Sequence, residues 1–273
     1  MMPPSLHDTP RLNLEDNVSH WEQPSIGDNF VVTGKLGYGG SAVVWRARDR
    51  SMLRRPVAIK VLSSSDPDQK RRFQQEAEVL ANINHPNVAR AFSSGVTADG
   101  RPYVVLELFE GLNNARLKSG RLPWREALEI GIQIAAALDA LHSKGVIHRD
   151  VKPDNIMMTK DDSGNTVAKL IDFGIARIKD NYVDPSTRGF TRISPRLLTQ
   201  EGVALGTPGY MPLEAGLATP DNSFDVYSLA VTVHVMCTGE LPYIGSLVPF
   251  REMTPPVDAP DDLTSVLAAA LGA

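Results

Sequence analysis

The chain has 273 residues, 42% hydrophobic and 22% charged, which suits a soluble globular protein long enough for one large domain or two lobes. Its net charge of -4 lacks the basic excess that nucleic-acid or anionic-membrane partners leave behind, so neither is expected. A single cysteine, Cys237, excludes an intrachain disulfide and a cysteine-based zinc site; no apolar stretch reaches bilayer length, and a reducing, cytoplasmic setting is expected.

Residues 1–28 are polar and punctuated by Pro3, Pro4, Pro10 and Pro24, which predicts a flexible or loosely docked extension. From Asn29 the runs FVVTGKL, SAVVWRAR and RPVAIKVL alternate with turn residues and predict an antiparallel sheet. Between Asp66 and Asn84 the period becomes helical, with Phe73, Ala77, Leu80 and Ala81 at three- and four-residue spacing. RPYVVLELF returns to strand. Trp124 to His142 predicts a long helix with Leu128, Ile134, Ala135, Leu138 and Leu141 on one stripe, stopped near Gly145 after Lys144. VIHRDVKPDNIMM reads as a loop between short strands, and a hairpin around Asp161–Asn165 leads into VAKLIDFG. Gly174 to Gly209 is long, polar and rich in Ser, Thr, Arg and Pro, a length that inside a compact domain marks a functional loop. A β-rich part with one helix is thus followed by a larger helical part, leaving one cleft between them.

Four blocks carry polar residues beyond what turns require. Gly37-Tyr38-Gly39-Gly40-Ser41-Ala42-Val43-Val44 lies between strand-like runs. Its glycines would let backbone N–H groups approach phosphate oxygens, although a plain hairpin turn explains them as well. Lack of a following helix argues against both the Walker A and the Rossmann readings. Lys60 ends the strand Val57-Ala58-Ile59-Lys60, and Glu76 follows on the predicted helix; edge lysines and solvated glutamates are the commoner readings of each alone. His148-Arg149-Asp150-Val151-Lys152-Pro153-Asp154-Asn155 places a carboxylate, a lysine and an amide at fixed offsets. Asp172-Phe173-Gly174 sets a second carboxylate at a strand end.

In this order and at these separations, the blocks resemble the protein-kinase signature set over roughly Asn29 to Tyr243. HPN at 85–87, HRDVKPDNIM, DFGIAR and GTPGYM are most similar to the bacterial, eukaryotic-like (Hanks-type) Ser/Thr kinases. The resemblance implies an α+β bilobal fold: an N-lobe over residues 29–106 and a mainly helical C-lobe over 107–273, incomplete at its end. It implies Ser/Thr protein kinase activity with Mg-ATP, protein substrates and autophosphorylation within Asp172–Glu214, where Ser186, Thr187, Thr191, Ser194 and Thr199 are candidates.

By the same resemblance, Gly37 and Gly39 cover the phosphates, Val44 and Ala58 sandwich the adenine from above, and Met157 supports it from below. Leu106 is the gatekeeper, and the backbone of Glu107 to Phe109 is the hinge. Lys60 contacts the α- and β-phosphates and pairs with Glu76. Asp150 orients the acceptor hydroxyl, Lys152 meets the γ-phosphate, and Asn155 and Asp172 hold magnesium. His148 is structural, packing under Phe173 beside Leu80; Asp225 braces the catalytic loop, and Thr207 orders that loop and the acceptor site.

Departures are Ala42 at the third glycine position, Pro212-Leu213-Glu214 where the family has Ala-Pro-Glu, and the short run from Pro242 to Pro256. The absent arginine partner of Glu214 implies a less stable C-lobe, completed by a partner or a missing segment. The alternative reading is a catalytically weak pseudokinase serving as an ATP-binding scaffold. A small-molecule kinase fits less well, since Lys152, the DFG and the GTPGYM segment are all kept.

Overall fold

Short β-rich runs between Phe30 and Glu107 give five strands, and the near-continuous apolar run of the third, Arg55–Leu62, suits a strand covered on both faces. The computed structural model describes residues 22–39, 42–109, 115–118, 122–161, 163–171, 207, 209–212, 221–242 and 258–271. Several expectations lie outside these residues: most of the N-terminal extension, Gly40 and Ser41, and Asp172-Phe173-Gly174 with the five candidate hydroxyls. Leu213, Glu214 and nearly all of the stretch from Pro242 to Pro256 lie outside them as well.

Strands β1 (Phe30–Gly39), β2 (Ala42–Asp49), β3 (Arg55–Leu62), β4 (Ala91–Val96) and β5 (Pro102–Glu107) form one antiparallel sheet in the order β1-β2-β3-β5-β4. Alternation splits β3 between two cores. Val57, Ile59 and Val61 join Val105 and Trp45 on the outer face, whereas Ala58 and Leu62 join Val104 and Leu106 on the inner one. Ile26 is buried in the outer cluster and Ser25 accepts a hydrogen bond from the Ala98 N–H, so the last residues before β1 dock onto the sheet.

Helix α1 (Pro67–Ala81) begins at Asp66, whose carboxylate accepts the Asp68 N–H, with Pro67 at the first helical position. It packs on β4 and β5 through Phe73, Glu76, Ala77 and Leu80. Ala81, predicted on that stripe, is exposed: it is the last helical residue, one turn beyond Ala77 and past the edge of the packed face.

The lower lobe holds α2 (Ala115–Lys118), α3 (Trp124–His142), the hairpin β6 (Ile156–Lys160) and β7 (Thr166–Leu170), α4 (Asn222–Thr238) and α5 (Asp261–Ala270). Along α3 the buried stripe is Ala127, Ile130, Gly131, Ile134, Ala137, Leu138 and Leu141. Predicted Ala135 is exposed and Leu128 half-buried, because the face turned to α4 and β7 is centred on Ile134. Gly145 closes the helix with φ +75, where a side chain would be strained. In the β6–β7 turn, Asp161 accepts the N–H groups of Ser163 and Asn165, and Gly164 takes φ +84. Nearly all of α4 is buried, including Cys237, whose thiol burial pushes up to about 11. An all-round apolar helix belongs at a core, and α4 is the post of this lobe.

The lobes meet at β7. Leu170 N–H donates to Asn87 O (2.8 Å) and Ala89 N–H donates to Leu170 O (2.9 Å). The Asn87 amide donates to Ala168 O (2.8 Å) and Gln133 Oε1 (2.9 Å), and Gln133 Oε1 also accepts the Ala168 N–H (2.8 Å).

Candidate active site

The segment His148–Asn155 hangs between the end of α3 and β6, and α4 fixes its shape. Asp225 is fully buried on α4, and its two oxygens accept the N–H groups of His148 (2.9 Å) and Arg149 (2.7 Å). His142 Nε2 lies 2.7 Å from the same carboxylate. Arg149 takes φ +67, a left-handed conformation that a β-carbon makes costly, and the Asp225 bond to its N–H helps to hold it there. Thr232, also on α4, reaches Val151 O at 3.2 Å.

His148 is buried, and its ring spans the loop. Nδ1 accepts the Asp150 N–H (3.3 Å), so the neutral ring carries its proton on Nε2 and donates to Ile171 O (3.2 Å). An imidazole with both nitrogens spent on backbone is a spacer; the expected packing under Phe173 lies outside the described residues.

Asp150 stands at the centre. Oδ1 accepts the Thr207 hydroxyl (2.7 Å); Oδ2 accepts the Asn155 amide (2.9 Å) and pairs with Lys152 Nζ (2.8 Å). Lys152 also donates to Thr207 Oγ1 (2.5 Å), and the Asn155 amide reaches Asp150 O (2.7 Å). Burial presses the carboxyl upward, but hydrogen bonds from Lys152 and Thr207, the Lys152 charge and the Asn155 amide together hold it below the usual range. An ionised carboxylate offers about four acceptor positions, and the described residues fill three. Among the described residues, one acceptor position carries no donor.

With both amide hydrogens of Asn155 on Asp150, its flip is fixed and Oδ1 is left as a neutral oxygen of the kind a hard cation takes. Asn155 is buried, and its carbonyl accepts the Ile171 N–H (2.8 Å), which orders the strand end leading to residue 172.

In the upper lobe Lys60 is buried on the inner face of β3, in register with Val44 on β2 and Val104 on β5. Ala58 stands opposite Leu106, both buried, and Glu76 is buried on the inward face of α1. Gly37 pairs with Val44 near the tip of the β1–β2 hairpin, and a β-carbon built on it would meet nothing within 4 Å. Among the described residues no packing demands glycine there, which leaves open space beside the hairpin. Phe109 is half-buried against the core and Met157 half-buried on β6. Asp172 lies outside the described residues.

Sequence reasoning missed three anchors: His142 on Asp225, the Asn87–Gln133 latch, and an ion pair between Glu107 and Lys169 (3.0 Å). Asn87 sits in the HPN triplet that had been read only as a family marker. The others join residues 62 and 83 positions apart, a link that only the fold makes.

A five-stranded lobe with a buried lysine, hinged to a helical lobe whose loop presents Asp150, Lys152 and Asn155, defines the two-lobed kinase class. The chain belongs to the protein kinase domain family, which it matches over residues 30–250. Serine/threonine-protein kinase PknB of Mycobacterium leprae is 36% identical over 231 residues, covering 81% of this chain and 34% of PknB. The crystal structure of the Mycobacterium tuberculosis PknI kinase domain matches with a TM-score of 0.64 at 26% identity, covering 92% of this chain and 91% of that one. That of Rad53 1-466 in complex with AMP-PNP matches with a TM-score of 0.59 at 27% identity, covering 80% of this chain and 51% of that one. The chain spans 20% to 54% of the length of the curated relatives it matches. Among the described residues, no helix is long and apolar enough to cross a membrane.

Proposed function

We propose that this chain transfers the γ-phosphoryl group of Mg-ATP to serine or threonine hydroxyls of protein substrates, acting in the cytoplasm. The observation that carries the reading is the Asp150 carboxylate, kept ionised by Lys152, Thr207 and Asn155 on a loop clamped to Asp225. A relative bound to AMP-PNP supports the choice of nucleotide. Retention of Lys60, Asp150, Asn155 and Asp172 in the sequence disfavours the pseudokinase alternative.

Bound Mg-ATP supplies the transferable group, and its cation neutralises charge on the phosphate oxygens. The open space at Gly37 fits a phosphate cradle, Lys60 with Glu76 supplies the buried cation above it, and Asn155 Oδ1 fits one ligand of a magnesium site, with Asp172 assigned as the other by the family resemblance alone. Val44 and Ala58 roof the adenine, Met157 floors it, and the backbone of Glu107 to Phe109 offers its edge hydrogen bonds, the lobes dividing at 106/107.

Asp150 works chiefly by orientation. Its remaining acceptor position takes the substrate O–H and aims the oxygen; a carboxyl below its usual range is a weak base, so the proton arrives late, as the new O–P bond forms. Lys152 lies within reach of both Asp150 and Thr207, where its charge offsets that developing on the transferred group.

The test is transfer of labelled γ-phosphate to the chain itself and to a generic basic protein. Label is expected on Ser or Thr with magnesium present, and Asp150→Asn should lower the rate by about 10²–10⁴-fold. Equal incorporation by Asp150→Asn would remove the assigned role.

A further inference from the structure

Strand alternation turns Leu106 inward and leaves Glu107 on the outer face of the sheet, behind the hinge and away from Lys60. There both oxygens of its carboxylate are engaged. Oε1 and Oε2 accept from Lys169 Nζ at 3.2 and 3.0 Å, and Oε2 also accepts the Arg90 N–H at 3.2 Å. The Lys169 ammonium lies 5.7 Å from the centre of the Phe109 ring, at the far end of the hinge. The side chains are only 17% and 28% exposed, at the wall of a rear cavity of about 360 Å³ that Arg55, His85, Arg90 and Phe92 also line. A half-desolvated, two-pronged pair is screened less than a surface bridge and holds its geometry better.

What the pair joins gives it a consequence. Lys169 is the register partner of Met157 across the β6–β7 hairpin and stands three residues before Asp172. Glu107 ends β5 where it becomes the hinge. We propose that the Glu107–Lys169 ion pair is a positioning brace for the nucleotide: it fastens the hinge, the back wall of the adenine slot, to the strand pair carrying its floor at Met157, and so sets the width of the slot. The proposal rests on the kinase reading of the cleft. Since the pair touches neither Asp150 nor Lys152, its loss acts on nucleotide affinity and leaves the saturated rate in place.

The experiment measures binding of a fluorescent ATP analogue to the full chain without magnesium, together with KM for ATP, kcat and the melting temperature. Glu107→Gln preserves size and the acceptor for Arg90; Lys169→Met removes the other charge. Each should weaken analogue binding by roughly fivefold and raise KM by the same factor; in Lys169→Met, which lies outside the nucleotide contacts, kcat should stay within about twofold. The charge-swapped double variant, Glu107→Lys with Lys169→Glu, should recover most of the affinity. Analogue binding equal to wild type in Glu107→Gln overturns the brace, as does a folded swap no tighter than the single variants. If the wild-type chain binds no nucleotide, the kinase reading falls and takes the brace with it; if it binds and transfers while the variants match it, the brace alone falls.

Discussion

Asp150 is decided by its neighbours. Buried carboxylates drift upward, and this one is held down because Lys152, Thr207 and Asn155 all donate to it or offset its charge. With the folded value below the unfolded one, the network's contribution to stability is complete above the unfolded pKa and is lost as pH falls through the folded value. The expected outcome is a kcat/KM profile with no acid limb from this group above about pH 5, the unperturbed aspartate lying near 3.9. Thr207→Val, which removes one donor, should shift the acid limb to higher pH, whereas Thr207→Ser should leave it near the wild-type position. A limb that stays put in Thr207→Val would show that the hydroxyl does not hold the carboxylate down.

Helix α4 carries the catalytic loop on Asp225 and Thr232, and α3 lies close against it. Gly131 is the point of contact: a β-carbon there would come within 2.8 Å of Val233 Cγ2. In an isolated helix Gly→Ala is worth about 1 kcal/mol of stabilisation. Here the β-branched Val233 has little rotamer freedom, and overpacking costs about 1–3 kcal/mol. Gly131→Ala should therefore lower stability, by about 1 kcal/mol net, measured by urea unfolding at constant m-value. A gain in stability would mean that the helices separate at no cost.

Across the whole molecule, the upper lobe rests on the lower one through β7, where the Asn87 amide answers both Ala168 O and Gln133 Oε1 beside the backbone bonds to Leu170. Asn87→Ala strands one buried acceptor, Ala168 O, at about 1–3 kcal/mol, while Gln133 Oε1 keeps the Ala168 N–H, and it loosens one lobe from the other. The expected result is a lower and broader thermal transition, with protection from hydrogen exchange lost first around Leu170. An unchanged, sharp transition would show that the backbone bonds alone couple the lobes.

The sequence by itself determined strands β1, β2, β3 and β5, helices α1 and α3, the β6–β7 hairpin and the polar blocks, because period, caps and turn residues act within a few neighbours; β4, α2, α4 and α5 were not legible in it. It also supplied Asp150, Lys152 and Asn155, whose spacing within one short loop survives folding unchanged, and it anticipated Asp225 and Thr207 through the family resemblance. The edges of buried faces were not legible: Ala81 and Ala135 fit a helical stripe as well as their neighbours do, and only the partner surface leaves them exposed. Nor were the long-range anchors, His142 on Asp225, Asn87 on Gln133 and Glu107 on Lys169. A charged or amide side chain looks solvated until a distant segment arrives to meet it, and which segment arrives is a property of the packed lobes.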